Sequence, residues 1–314
     1  MLLTQRETML NLNKIIYILL MLLILEVSLF ALYRAFEQFS TKKTVTSPVP
    51  KANILAEPVY PHEDFFISLE EEERVKSLEE VLIHITPKSE LDIVSIENQL
   101  VKPILYTKSI NLSDLSIQHK KKMFINMIVP SILVAKHRIS EERKKVAKLL
   151  KSKKLSPKEH LWLTKKRHIF KASTIDELYD KMELHPTSIV VAQAIIESGW
   201  GTSRFFEKAN NVFGIWSFNK HEKRIEASET RGSKRIFLKK YTSVEQSVSD
   251  YFLMLSTKDA YRDFREKRLE SQDPFVLVEQ LGKYSELGDV YIQNLKNTIT
   301  KNKLVEYDSY ALDI

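Results

Sequence analysis

Ala192-Gln193-Ala194-Ile195-Ile196-Glu197-Ser198-Gly199-Trp200-Gly201 is the stretch on which the reading of this chain turns. Together with the residues before it, Thr187 to Glu197 is apolar on almost every side, through Ile189, Val190, Val191, Ala192, Ala194, Ile195 and Ile196. A helix without a polar face belongs at the centre of a core. His185-Pro186-Thr187 reads as its start, and Gly199 and Gly201 as its end. The oddity is Glu197, a carboxylate in the last turn of that helix. Burying a carboxylate costs several kcal/mol unless it is paired or becomes neutral. Desolvation beside Trp200 and Ile196 is expected to raise its pKa. A carboxyl group kept protonated near neutral pH suits a general acid for glycosidic bonds. The plainer alternative is a structural glutamate bonded to a helix end or a lysine, and spacing alone leaves both open.

The rest of the composition fits a mostly helical protein. Only 6 glycines and 10 prolines in 314 residues argue against a loop-rich all-β fold. A hydrophobic content of 43% is ample for a core and excludes wholesale disorder. The absence of cysteine excludes disulfides, thiol catalysis, cysteine-ligated zinc and an acylated lipoprotein anchor. The histidines show no pair at ligand spacing, so no metal or other cofactor is implied; His221, beside the expected hairpin, is the one placed nearest a cleft.

Ile15 to Tyr33 is a run of 19 nearly uninterrupted apolar positions with one charge, Glu26. At about 1.5 Å per residue it just spans a hydrocarbon core of about 30 Å. Its length, and the lack of a small-x-small site before Leu32-Tyr33-Arg34, favour an uncleaved anchor over a signal peptide or a buried helix. Ser40 to Pro61, with Pro48, Pro50, Pro58 and Pro61, reads as an extended linker. From Asn53 to Leu100 there are 12 acidic and 3 basic residues, net −9; from Lys120 to Lys171 there are 17 Lys and Arg and 3 acidic residues, net +14. The basic block has helical spacing through Met123, Met127, Ile128, Ile132, Leu133, Ala135 and Ile139, with Pro130 marking a kink or boundary. Its charge is a solvated face, a docking surface for the acidic block, or an attraction for anionic envelope polymers. A chain with a membrane span and no nucleic-acid motif makes nucleic acid an unsuitable partner. Ser156-Pro157-Lys158-Glu159 opens a helix, and Arg231-Gly232-Ser233 is the turn of a hairpin within Lys223 to Tyr241. Thr242-Ser243-Val244-Glu245 is a capping-box pattern for a helix from Val244 to Leu255, and two more helices follow near Pro274 to Tyr284 and Gly288 to Asn302.

The run from Ala192 to Ser203, followed by Asn210-Asn211-Val212-Phe213-Gly214-Ile215-Trp216, closely resembles the glucosaminidases of glycoside hydrolase family 73. Tyr241 to Tyr251 and Tyr284 to Tyr291 resemble later motifs of the same family, and Asn111 to Leu304 as a whole looks like its bacterial Bax branch. The resemblance implies a lysozyme-like helical fold with a small β-hairpin lobe, and a substrate in peptidoglycan glycan strands cut at N-acetylglucosamine. Carried over residue by residue, Glu197 is the acid and Trp200 the sugar-binding floor. Asn211 and Gly214 would hold the loop opposite the acid, and Tyr284 and Tyr291 line the cleft. Phe213 belongs to the core rather than to the site.

The match weakens at the second carboxylate. Related glucosaminidases place one in the hairpin lobe; here Glu222, Glu226 and Glu229 occupy that region, with Glu226 and Glu229 nearest the expected spacing. The course is therefore open between inversion, assistance by the N-acetyl group, and lytic cleavage with one glutamate. No GLMQ-like motif follows the Glu197 segment, which weighs against the lytic route. A non-catalytic wall-binding protein is the rival from another class. The expected organisation is an anchor at 1–34, a linker at 35–65, an acidic segment at 66–110, a basic helical region at 111–172, a glucosaminidase domain at 173–305 and a tail at 306–314. The expected location is the cytoplasmic membrane, crossed once, with the catalytic domain in the periplasm or cell-wall space.

Overall fold

A computed structural model describes residues 77–231 and 234–314, with the backbone alone described at 228–231 and 234. The expected membrane span at Ile15–Tyr33 and the linker lie outside the described residues. Among the described residues no helix is long and apolar enough to cross a membrane.

The described chain is mostly helical with a few short strands. It opens with α1 (Leu78–Val81), β1 (Ile83–Ile85), β2 (Leu100–Val101) and β3 (Ile104–Tyr106). The helices α2 (Ile117–Leu150), α3 (Pro157–Phe170), α4 (Ile175–Lys181), α5 (Thr187–Ser198) and α6 (Arg204–Ala209) follow. A hairpin of β4 (Arg224–Arg231) and β5 (Lys234–Lys239) leads to α7 (Val244–Thr257) and α8 (Arg262–Glu270). Then come α9 (Pro274–Leu277), which runs on as 3-10 turns to Tyr284, α10 (Asp289–Lys301) and the terminal strand β6 (Ala311–Leu312). The parallel pairs β1·β3 and β2·β6 and the antiparallel hairpin β4·β5 are two-stranded. In the hairpin Arg231 pairs with Lys234, leaving two residues for the turn, and the register slips between Glu226 and Thr230.

Helix α5 is the centre. Its residues from Thr187 to Ile195, and Ser198, are buried. The apolar core around it collects Met123 to Ala135 of α2, Val244 to Leu255 of α7, and Tyr291, Leu295 and Ile299 of α10. Ile93, Val101, Ile104 and Tyr106 belong to that same core, so the described part of the acidic segment, from Ser77 on, contributes buried apolar residues to it. The compact unit that holds the described residues runs from Glu70 to Ile314. A smaller cluster, including Val146, Leu163, Phe170 and Leu178, joins the far end of α2 to α3 and α4.

Two local expectations need correction. Pro130 does not divide α2, which runs unbroken from Ile117 to Leu150. Proline inside a helix costs about 3 kcal/mol, but every residue from Asn126 to Ala135 is buried, and tertiary packing holds the helix together. The box that opens α7 is shifted by one residue. Ser243 is the cap, accepting from Gln246 N at 3.0 Å, and Gln246 Oε1 accepts from Thr242 N at 2.7 Å. Arg138 of the basic block joins Glu79 of the acidic block at 2.8 Å, and also Glu245 of α7 at 3.1 Å.

The start of α5 has no cap of its own, because Pro186 stands at the N-cap position. Asp308 substitutes for it from the far end of the chain: Ser188 N and Ser188 Oγ both donate to its carboxylate, at 2.7 and 2.8 Å. Lys136 Nζ donates to Thr187 Oγ1 at 2.9 Å beside it. Replacing a capping carboxylate costs about 0.5–2 kcal/mol. Asp308→Ala is therefore expected to lower the free energy of unfolding, measured by urea titration, by an amount in that range, and Asp308→Asn by less.

Candidate active site

Helix α5 ends in a tight left-handed turn, with φ of +58° at Gly199, +61° at Trp200 and +77° at Gly201. A side chain at Gly201 would put Cβ 2.8 Å from the Phe124 ring, so glycine is required there by packing as well as by conformation. Trp200 takes up a conformation that costs a non-glycine residue about 1–2 kcal/mol. It is held there by an edge-to-face contact with Phe124 at 5.9 Å and by Lys121 Nζ 4.7 Å above its ring. The turn leaves Glu197 half-buried at the helix end.

Burial is the main influence on Glu197 and raises its pKa above the ordinary carboxylate value, while a hydrogen bond from Tyr291 works in the opposite direction. That bond, Tyr291 OH to Glu197 Oε1, is 2.8 Å long. Tyr291 is in turn fixed from behind: Gln193 Nε2 donates to its oxygen at 3.0 Å, and Tyr251 OH donates to Gln193 Oε1 at 2.5 Å. Tyr251 has then used its only proton, so His185 Nε2, 3.0 Å away, must be the donor to Tyr251. His185 is thereby the Nε2–H tautomer, which leaves Nδ1 as the buried atom without a partner. His185, Gln193, Tyr251 and Tyr291 are each at most 2% exposed. A row of polar groups thus runs through the apolar core and ends at Glu197.

The aromatic residues around the row keep it in place. Tyr284 stacks on Tyr291 at 5.6 Å and 5°, and Phe213 on Tyr251 at 4.2 Å and 20°. Tyr284 is half-buried and its hydroxyl is pushed well above its usual pKa by burial and by the charge of Glu197. Asn211 is buried and donates to Ile215 O at 3.0 Å and Lys239 O at 2.9 Å, while accepting from Ile215 N at 2.9 Å. With those bonds made it pins the loop to the hairpin. Gly214 has φ +63° and open space where a Cβ would stand, so backbone conformation alone selects glycine.

Two of the hairpin carboxylates have partners within the lobe. Glu226 is about half exposed and lies 3.5 Å from Arg235. Glu222 Oε1 accepts from Ser217 Oγ at 2.7 Å. Glu229 lies in β4, where the backbone alone is described. The sequence motifs contain Gln193 and Tyr251 without marking a role for either, and they point to His221 rather than His185. His221 is exposed, whereas His185 is wired to the acid. The available signal was polar residues at interior positions: Gln193 stands in the middle of an otherwise apolar helix.

The family described as mannosyl-glycoprotein endo-beta-N-acetylglucosaminidase, the glucosaminidase domain, matches residues 172–304. The chain is 30% identical to the Protein bax of Escherichia coli over 203 residues, covering 59% of this chain and 72% of that one. It is 38% identical over 79 residues to the exo-glucosaminidase LytG of Bacillus subtilis, covering 24% of this chain and 28% of that protein, under a third of the relative's length. Among solved structures, the catalytic domain of the autolysin Auto from Listeria monocytogenes aligns at 21% identity and a TM-score of 0.35, covering 53% of this chain and 97% of that one. A peptidoglycan hydrolase from Sphingomonas sp. A1 aligns at 24% identity and a TM-score of 0.33, covering 45% and 92%. A helical core with a hairpin lobe and a desolvated glutamate is thus combined with the glucosaminidase sequence pattern. The chain belongs to the glucosaminidase-domain family, in the branch of the Bax protein.

His185 is held neutral, its pKa well below 6.5, first by burial and then by the positive charges of Arg268 and Lys136. The unfolded chain takes up this proton more readily, so the stability that the neutral ring supplies is complete above about pH 6.5 and is lost as pH falls. His185→Gln is expected to flatten the decline of melting temperature between about pH 6.5 and 5. An unchanged slope would place the acid sensitivity in other groups.

Proposed function

We propose that this protein is a peptidoglycan hydrolase that cleaves glycan strands at N-acetylglucosamine, with Glu197 as the proton donor. The observation that carries the reading is the state of Glu197: a desolvated carboxyl group with one oxygen committed to Tyr291, in a chain of the glucosaminidase-domain family. Gln193 Nε2 can only donate, so the proton of Tyr291 is free to go to Glu197 Oε1, and that is the bond it makes. Glu197 Oε1 is therefore an acceptor and the transferable proton resides on Oε2. When Oε2 protonates the departing glycosidic oxygen, the Tyr291 bond remains to stabilise the carboxylate that is left. Burial keeps the proton on before the reaction, and the hydrogen bond favours its loss during it. Tyr284 and Trp200 flank the acid with aromatic surface suited to the apolar faces of pyranose rings.

The partners of the hairpin carboxylates favour a course that needs one carboxylate at the reacting centre. Glu226 lies beside Arg235 and Glu222 accepts from Ser217, which supports assistance by the substrate's N-acetyl group, or lytic cleavage, over inversion with either of them as base. Glu229 keeps the inverting route in play. In this reading the segment Ile15–Tyr33 tethers the enzyme to the cytoplasmic membrane with its catalytic domain on the wall side, reached through the linker at 35–65. Fractionating cells that express the full chain, with protease added to intact spheroplasts, tests that placement; a domain protected from protease would overturn it.

Glu197→Gln is expected to reduce release of sugar from isolated sacculi by about 10²–10⁴-fold, the usual contribution of a positioned acid. Hydrolysis at the parent rate would sink the assignment. Mass spectrometry of the parent's products separates the routes: a reducing N-acetylglucosamine end marks a glucosaminidase, and a 1,6-anhydromuramic end marks lytic cleavage. Tyr291→Phe removes the bond that lowers the pKa of Glu197, so its pKa rises. The acid must be protonated to act, and the alkaline limb of the pH–rate profile is expected to move to higher pH, with a lower maximal rate.

A further inference from the structure

A groove of about 360 Å³ opens beside Trp200, between the first turns of α2 and the segment from Asn302 to Tyr310. We infer that it is a second saccharide site, one that takes an anionic stretch of glycan, such as a sugar bearing a carboxylate. The inference rests on the proposed function for the identity of the polymer.

The wall of the groove combines three features. Trp200, Tyr307 and Tyr310 supply aromatic surface, and the two tyrosine rings meet at 4.9 Å and 62°. Rings set at an angle to one another offer faces to successive sugars rather than a single flat platform. Lys121 and Lys122 also line it, and no carboxylate does among the described residues. Lys121 is held in place by Asn302 Oδ1 at 3.1 Å and by the Trp200 ring, while Lys122 is exposed. The third feature is Asn126, which lines the groove and is 4% exposed. Its Oδ1 accepts from Ile96 N at 3.2 Å, but its Nδ2 has no acceptor among the protein atoms. A buried amide donor without an acceptor is unfavourable. An N-acetyl carbonyl or a carboxylate at the groove wall would satisfy it.

The volume lies near the lower end of ligand pockets, about 300–1,000 Å³, and suits a short saccharide. Most of the lining, including Lys121, Asn126, Tyr307 and Tyr310, lies outside the stretch 172–304 that matches the family. The groove is thus built mostly from residues outside the matched glucosaminidase domain. Trp200 connects the two, because it follows Glu197 by three residues at the end of α5. A strand lying across Trp200 would be gripped on one side and cut on the other.

The test uses the full-length chain carrying Glu197→Gln, so that the ligand survives, and two probes: a peptide-bearing muropeptide tetrasaccharide and neutral chitotetraose. Tyr307→Ala with Tyr310→Ala is expected to weaken muropeptide binding by about tenfold. The lysine pair Lys121→Met and Lys122→Met guards against misfolding, because Lys122 is exposed and methionine keeps an apolar stem against Trp200 at position 121; it is expected to weaken the muropeptide by about fivefold and chitotetraose hardly at all. Parent-like muropeptide affinity in both variants would overturn the site, and equal losses for both probes in the lysine pair would overturn its anionic character. The two readings fail separately. If Glu197→Gln in the otherwise natural chain still hydrolyses sacculi, the acid assignment falls; if it does not, and the groove variants bind like the parent, only the groove falls.

Discussion

A carboxyl group desolvated at the end of a helix with no polar face is stable only if its surroundings agree on which oxygen accepts and which carries the proton. At Glu197 that agreement is reached through Tyr291, and Tyr291 is oriented by Gln193, Gln193 by Tyr251, and Tyr251 by His185. Each group has one way to satisfy its neighbours once His185 is neutral with its proton on Nε2. Buried polar rows of this kind are costly when incomplete and rigid when complete. The single open position, His185 Nδ1, lies at the end furthest from the acid. The apolar packing of Phe252 and Phe264 against the imidazole, each at 5.1 Å, keeps that end dry and uncharged.

The helix that carries both Gln193 and Glu197 depends on distant parts of the chain. Its first turn is closed by Asp308 and its last by the left-handed turn at Gly199 to Gly201, where Phe124 of α2 allows no side chain at Gly201. The C-terminal segment therefore does more than trail from the domain. It caps the central helix, and β6 pairs with β2 through Ala311 and Leu312. The basic helix α2 likewise serves as the wall against which α5 packs, and its Lys136 reaches inward to Thr187 at the start of that helix.

Much of this could be read from the residues in order. A run apolar on all sides predicts a central helix, glycines predict its end, and a glutamate within it predicts a raised pKa; all three agree with the structure. The hairpin and the helices that follow it were legible for similar reasons, since turn chemistry and capping are local. Pro130 does not mark a boundary, because its local effect on a helix is outweighed where every residue from Asn126 to Ala135 is buried. Charge misled in a different way. The acidic and basic blocks look like separate regions in sequence, yet Tyr106 and Met127 lie in one core, because net charge describes the surface and says little about what is buried beneath it.

What the sequence by itself determined was the helix, its carboxylate and the family pattern around them, all set by side-chain periodicity and short-range backbone preference. Only the tertiary structure decided what Glu197 touches. Its partner lies 94 positions away, and the residues behind that partner come from α5, α7 and the turn before α5. A hydrogen bond between such residues depends on how three helices pack, and no spacing along one chain encodes it. The same reason separates Gln193, a polar residue visible inside an apolar run, from its role, which appears only when Tyr251 and Tyr291 are brought to its two ends.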